Sequence, residues 1–389
     1  MAKLLIVPGS CDALGGTLVT LALLLKGLQQ VQGHDRVVVL VRRGSYMEGY
    51  LRDFGGGAFL ELITAANQSY FFQAALDWVD RQPRNYPLLL DNCVERPLLG
   101  ALTLWALRLR LSGRSCFHFC HDLARSHHPL GYFTRKLAFG LLKPKALCNS
   151  YFTSTQIHSL MPDIRGVMYQ PVDLVRFNSN LSLPPLALQP ILERKLPVML
   201  TPSRLNKPGI VNDKNLRALP PILAHLKDLG HPHHGVVVGE DTSSDGSHTR
   251  DLLAVAERWG VANLFTVLPP TLAIADYYRF ARVVVTLAPR EPFGRTVVEA
   301  LAVGTAVVGS STGGIGEILG QVAPDWRVDP TDPRQAAETV VRIRQDPTTP
   351  QKLAHARRWV EQTCSTAVYA RRMLELTGLM RPLLAGREP

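Results

Sequence analysis

Short apolar runs recur along this chain, and each is followed by a stretch long enough to form a helix. The first run, Leu4-Leu-Ile-Val7, passes through the loop Pro8 to Gly16 into a helical pattern over Thr17 to Gln30. The turn Gln32-Gly-His-Asp35 then leads into a second run, Arg36 to Val41. That order is strand, helix, strand. It continues through Pro87-Leu-Leu-Leu90, Cys116-Phe-His-Phe-Cys120 and Ala146-Leu-Cys-Asn149, and such alternation builds a parallel sheet because a crossover helix must carry the chain back to the same edge. A proline- and leucine-rich stretch without periodicity, Asn178 to Lys195, interrupts the pattern before Pro197-Val-Met-Leu-Thr-Pro-Ser203 restarts it. Further strands are expected at Gly235 to Val238, Leu264 to Val267, Val283 to Leu287 and Ala306 to Val308. At 389 residues and 46% hydrophobic, the chain has material for two cores. The expectation is an α/β chain of two doubly wound parallel-sheet domains facing across a cleft. The first covers 1–177, a linker 178–195, the second 196–365, and a closing helix lies in 366–389.

The remaining composition narrows the partners. The start Met-Ala-Lys-Leu-Leu-Ile-Val reads as a strand rather than a signal peptide, because Pro8, Gly9 and Asp12 break the apolar run. Leu98 to Leu107 ends in arginines, well short of the ~20 residues a membrane span needs. Six cysteines with no Cys-x-x-Cys pair suggest neither a disulfide framework nor a zinc ribbon and fit a reducing cytoplasm. Gly9 to Gly16 lacks the Gly-x-Gly-x-x-Gly spacing of a dinucleotide site, which disfavours a nicotinamide dehydrogenase. A net charge of +11 calls for anionic partners, among which are nucleoside diphosphates, lipid headgroups and nucleic acid.

Ligands of doubly wound sheets bind at the carboxyl ends of the strands, so the loop after Val283 to Leu287 is the place to look. There Gly294 opens a helix through Val303, and Gly304 can end it. From Val297 to Gly309, Glu299 is the one charged residue. A lone carboxylate on an apolar helix needs hydrogen-bond donors, and the diol of a ribose can supply them. Glu291 lies just before the helix, where amides from Phe293 to Thr296 and the positive end of the helix dipole make an anion site. A diphosphate could rest there, with the attached sugar's hydroxyls on Glu291.

The sequence Glu291-Pro-Phe-Gly, Glu299-Ala-Leu-Ala and Ser311-Thr-Gly-Gly-Ile-Gly-Glu317 closely resembles the signature of glycosyltransferase family 4. That resemblance implies two Rossmann-like domains in the GT-B arrangement, a closing helix that crosses back to the first domain, and retention of anomeric configuration. It also implies that Glu291 contacts the donor sugar and Glu299 the ribose hydroxyls, with backbone at Phe293, Gly294, Thr296 and Val297 on sugar and phosphate. Gly15 and Gly16 occupy the family's glycine loop, His121 the position near the donor sugar, and Gly239 the glycine turn of the second domain; Leu268 is placed in the donor site too. Gly33-His34, Cys148 to Thr153 and Gln170 to Phe177 extend the likeness across most of the chain. One departure concerns the phosphate cations. Arg204 is followed by Lys207 and then by Lys214-Asn215, and the reading taken is an insertion that pairs Arg204 with Lys214, because Asn215-Leu216 is expected to begin the next helix, Lys207 being the alternative.

The function implied is transfer of a sugar from a nucleotide diphosphate sugar to an acceptor hydroxyl in polysaccharide, glycolipid or other glycoconjugate synthesis. Arg204, Lys214, His121 and Glu291 are expected at the reaction centre. No Asp-x-Asp occurs, so the cations and the helix dipole are expected to hold the diphosphate without a metal, and no cofactor or nucleic acid is expected. The other classes open are a catalytically silent GT-B protein that binds a nucleotide sugar or scaffolds other enzymes, and a GT-B epimerase. The acceptor is an unidentified sugar, lipid-linked or small molecule. For His121 the competing reading is a core histidine. His231-Pro-His-His234 reads as a surface loop rather than a metal site, and His127-His128 as an acceptor contact or a solvated loop. Leu130 to Lys145 is basic and amphipathic, which permits peripheral attachment at the inner face of a membrane; an ordinary sheet-covering helix is the preferred reading.

Overall fold

The computed structural model describes all residues except 13–14, 124–128, 181, 210–212 and 382–389. It divides into two compact units, Met1–Pro171 with Thr363–Pro389, and Val172–Gln362. The first unit opens with β1 (Leu4–Pro8), α1 (Gly16–Gln30), β2 (Val37–Arg42), α2 (Tyr46–Asp53), β3 (Leu60–Ile63) and α3 (Gln68–Arg81). It continues with β4 (Leu88–Asp91), α4 (Arg96–Leu111), β5 (Cys116–Cys120), α5 (Pro129–Leu142), β6 (Lys145–Cys148), α6 (Tyr151–Ile157) and β7 (Ile164–Val167). The strands form one parallel sheet in the order β3-β2-β1-β4-β5-β6-β7. Its central strands are buried along their whole length, as in Leu4 to Val7 and Leu88 to Leu90. That is why they read as unbroken apolar runs rather than alternating ones.

The second unit follows with α7 (Gln189–Leu192), β8 (Val198–Pro202), α8 (Leu219–Asp228), β9 (His234–Val238), α9 (Ser247–Arg258), β10 (Phe265–Leu268) and α10 (Ile274–Phe280). Then come β11 (Val283–Thr286), α11 (Arg295–Val303), β12 (Ala306–Ser310), α12 (Gly313–Val322), β13 (Arg327–Val328), α13 (Pro333–Gln345) and α14 (Thr349–Cys364). Its six-stranded sheet has the order β10-β9-β8-β11-β12-β13 and is parallel throughout. In each sheet the chain first winds outward one way and then the other. The reversal falls between β1 and β4 in the first unit and between β8 and β11 in the second, and a crevice opens at the carboxyl ends of the strands at such a switch point.

The last helix, α15 (Thr366–Leu376), belongs to the first unit and packs on α1. A Cβ on Gly27 would stand 2.0 Å from the Thr366 carbonyl oxygen, so a glycine is needed where the two helices meet. The Thr366 hydroxyl also donates to Gln30 Oε1 at 2.7 Å.

Three expectations need correction. The first boundary is not at Phe177, nor is 178–195 a separate linker: Val172 onward counts with the second unit. Phe177 packs edge-on against Tyr278, and Arg279 donates to the carbonyls of Arg176 and Asn178, which ties this segment down. His231 to His234 is not a surface loop. His233 and His234 are both buried; His234 begins β9 and its Nε2 lies 2.9 Å from the Thr266 hydroxyl. Burial disfavours their charged forms, lowering the pKa of His233 and taking that of His234 to about 4. Finally, Asn215-Leu216 does not enter the next helix directly. Asn215 is left-handed at φ 51°, and a single 3-10 turn, Leu216–Ala218, precedes α8.

Strands β3, β7 and β13 lay outside the expected set. All are short, the first at one sheet edge and the third at another, and β7 carries Arg165 and Gly166. An edge strand is half solvated and needs no continuous apolar run.

Candidate active site

The expected donor residues of the second unit fall along the carboxyl edge of its sheet. Arg204 follows β8, Gly239 follows β9, Leu268 ends β10, and Glu291 lies in the loop after β11. Gly239 donates its amide to the Leu268 carbonyl at 3.1 Å, and a Cβ there would be 1.9 Å from the Ser203 carbonyl oxygen. Glycine therefore lets the β8 and β9 loops close on each other. Arg204 is exposed and makes no side-chain hydrogen bond or ion pair with the described residues.

Lys214 and Glu291, 77 residues apart in sequence, are brought together: Lys214 Nζ lies 2.6 Å from Glu291 Oε2. Asn215 holds the lysine in place. Its left-handed backbone turns the side chain so that Nδ2 donates to the Pro330 carbonyl at 2.6 Å, beyond the end of β13. Lys207 is exposed and makes no such contact. A hollow of about 270 Å³ beside Lys214 is bordered by Leu205, Asn215 and His248. A second, of about 480 Å³, is bordered by His233, Arg282, Thr305 and Arg344 at the opposite ends of β11 and β12 and contains none of the expected donor residues.

The loop carrying Glu291 is braced from behind by residues whose purpose the sequence alone did not disclose. Gly314 donates its amide to the Glu291 carbonyl at 2.7 Å, and the Thr312 hydroxyl donates to the Pro289 carbonyl at 2.7 Å. A Cβ on Gly314 would be 2.4 Å from the Phe293 carbonyl oxygen, and one on Gly313 2.9 Å from the Glu291 carbonyl oxygen. Gly294 at φ 100° and Gly304 at φ 91° bound α11, conformations that L side chains rarely adopt. Thr296 lies in the first turn of α11. The Val297 amide, expected to face a ligand, is instead engaged: the turn at Gly294 points that residue's carbonyl into the helix, where Val297 donates to it at 2.9 Å.

Glu299 is buried in α11, but it is not without a partner in the protein. The Tyr278 hydroxyl donates to its Oε2 at 3.0 Å, and Arg295 Nη1 is 4.0 Å from Oε1. Burial raises the Glu299 pKa from its ordinary value, while Arg295 and the tyrosine hydroxyl work against that rise. Tyr278 is itself fully buried on α10, and its carbonyl accepts from the Thr305 hydroxyl at 2.8 Å.

In the first unit, Gly15 and Gly16 start α1 beyond β1, with open space where a Cβ would stand on either. His121 follows β5, and its side chain is 6% exposed. Its Nε2 is 2.8 Å from Asp91 Oδ1, Gln170 Nε2 donates to its Nδ1 at 3.2 Å, and Asn149 Nδ2 donates to its carbonyl at 3.0 Å. Gln170 as donor makes Nε2–H the protonated ring nitrogen, with Asp91 as its acceptor. Both ring nitrogens thus have protein partners. His127 and His128 lie outside the described residues. Among the described residues no group of three or more His, Cys, Asp or Glu is placed to hold a metal ion.

Two doubly wound parallel sheets, with glycine turns and charged side chains gathered at the carboxyl ends of their strands, are the fold of the GT-B glycosyltransferases. The structure of Anabaena HepE in complex with UDP superposes with a TM-score of 0.77 at 19% identity, covering 97% of this chain and 100% of that one. HepE in complex with UDP-glucose gives 0.75 at 17% identity over 98% and 100%. In sequence, residues 197–360 match the model of the family Glycosyl transferases group 1. A D-inositol 3-phosphate glycosyltransferase of Streptomyces bingchenggensis (strain BCW-1) is 28% identical over 231 residues, 54% of this chain and 49% of that protein. The chain thus spans about half the length of that curated relative.

Proposed function

We propose that this protein transfers a hexosyl group from a nucleoside diphosphate sugar to an acceptor hydroxyl, with retention of anomeric configuration and without a divalent metal, in glycoconjugate synthesis. The observation that carries the reading is the meeting of Lys214 with Glu291 in front of α11, the helix that holds Glu299. A cation, a helix N-terminus and two carboxylates at one switch point suit a ligand with phosphates at its centre and hydroxyls at both ends.

In this reading Glu299, kept in place by Tyr278, accepts the ribose diol, and Glu291 accepts hydroxyls of the donor sugar. As the sugar C1–O bond breaks, charge grows on the departing diphosphate, where donors fixed in advance by the fold are worth most. Arg204, Lys214 and the start of α11 stabilise it. The HepE complexes with UDP and UDP-glucose support a uridine diphosphate sugar as the first donor to try. The cytoplasm is the proposed compartment; the presence of all six cysteines as buried thiols outside any disulfide supports it.

Thermal shift with UDP-, GDP- and ADP-sugars tests donor choice, because a ligand that binds only the folded state raises its stability with concentration. The expected result is a shift with UDP-glucose and turnover that survives EDTA. Arg204→Ala and Glu299→Ala should each cut turnover severely, and wild-type rates in both would overturn the assignment. Donor binding without transfer or hydrolysis would instead identify a silent binding protein.

A further inference from the structure

Helices α4 and α5 pack against each other in the first unit. They join β4 to β5 and β5 to β6, successive steps in one direction across the sheet, so right-handed crossovers put both on one face of it. Each buries one side against the sheet: Leu98, Leu102 and Leu109 on α4, Ala138, Phe139 and Leu142 on α5. Each also carries a second apolar stripe that covers nothing. On α4 this is Leu104, Leu107 and Leu111, at 83%, 54% and 77% exposure; on α5 it is Leu130, Phe133 and Leu137, at 72%, 70% and 55%. Both stripes follow the same helical spacing of three and then four residues. Exposed apolar stripes on two helices that pack together mark an interaction site.

Charge selects the partner. Neither helix contains an aspartate or glutamate, while Arg96, Arg108 and Arg110 lie on α4, Arg135 and Lys136 on α5, and Lys143 just beyond. Arg108 is paired with Asp80, but Arg110, Lys136 and Lys143 are exposed with no ion pair among the described residues. Apolar side chains among uncompensated cations suit an anionic bilayer surface, in which leucine and phenylalanine enter the acyl boundary and lysine and arginine meet headgroup phosphates. A second copy of this chain suits it less, since a two-fold contact would set this cationic face against itself.

We propose that the α4–α5 face docks this protein on an anionic lipid surface, a property independent of the donor site. The test is co-sedimentation with vesicles of phosphatidylcholine containing phosphatidylglycerol, and with phosphatidylcholine alone. The expected result is binding to the anionic vesicles that weakens with added salt. It should fall by about tenfold or more in both Leu104→Glu/Phe133→Glu and Arg110→Glu/Lys136→Glu. All four positions are solvent-exposed, and if one double variant melts early the other carries the test. Variants that bind like wild type, or equal binding to both vesicle types, would overturn the proposal. So would a lipid-free dimer that Leu104→Glu/Phe133→Glu dissociates, since the face would then be a contact between copies.

Discussion

The Tyr278 hydroxyl lies 3.0 Å from Glu299 Oε2, so a carboxylate buried in an apolar helix is held by a phenol that is itself buried one helix earlier. One hydroxyl satisfies only part of the acceptor capacity of a carboxylate, and donor hydroxyls can supply more.

A pH dependence follows from the burial of Glu299. Its pKa is raised above the ordinary value of 4.5, so the folded state holds the proton more tightly than the unfolded state. The strain of burying the charge is absent below pH 4.5 and grows as pH rises through the raised folded value. Glu299→Gln should therefore melt above wild type at neutral pH, and the difference should shrink as pH falls toward 4.5. UDP-glucose affinity should drop about tenfold or more, the scale of one lost hydrogen bond to a charged group. Calorimetric melts over a pH series, with donor titrations, check both; a melting difference independent of pH would contradict the account.

The two candidate phosphate lysines should separate cleanly. Lys214 is held against Glu291 by the Asn215 anchor, whereas Lys207 is exposed and unpaired with any described residue. Lys214→Ala should lower kcat/KM about a hundredfold, as expected for loss of a donor that meets charge developing in the transition state. Lys207→Ala should change it less than about threefold. Steady-state kinetics of the two variants decide it, and the reverse order would return the role to Lys207.

Gly314 tests the brace behind the donor loop. An added methyl would meet the Phe293 carbonyl oxygen at 2.4 Å and its Cα at 2.5 Å, backbone atoms that cannot rotate away. Gly314→Ala should destabilise the second unit by about 1–3 kcal/mol and weaken donor binding, because the Glu291 loop must shift. Thermal melts and donor titration read both effects. An unchanged affinity in a destabilised protein would show that the brace serves folding alone.

Much of the local structure around the candidate site was legible in the sequence. The switch from strand to helix at Gly294 and the lone charge at Glu299 are local patterns, visible because backbone conformation and helical spacing are set within a few residues. Other features were not visible in this way. Tyr278 is one tyrosine among ten, and nothing in its neighbourhood marks it as a partner of a residue 21 positions on. His121 reads as a site residue with a core histidine as the competing reading, and its partners Asp91 and Gln170, 30 and 49 positions away, could not be read from its neighbourhood. Leu130 to Lys145 was legible as basic and amphipathic, but which apolar residues of α4 and α5 stay exposed was not, because hydrophobicity alone does not say which of two apolar faces meets the sheet.

The sequence by itself determined the succession of strands and helices, the two-unit α/β class and the places where loops meet strand ends, since each depends on residues near one another in the chain. Only the tertiary structure decided that Lys214 rather than Lys207 reaches Glu291, that Tyr278 holds Glu299, and that Val172 onward belongs to the second unit. Those outcomes rest on contacts between segments tens of residues apart. Such contacts form when whole sheets and helices pack, and no local propensity encodes them.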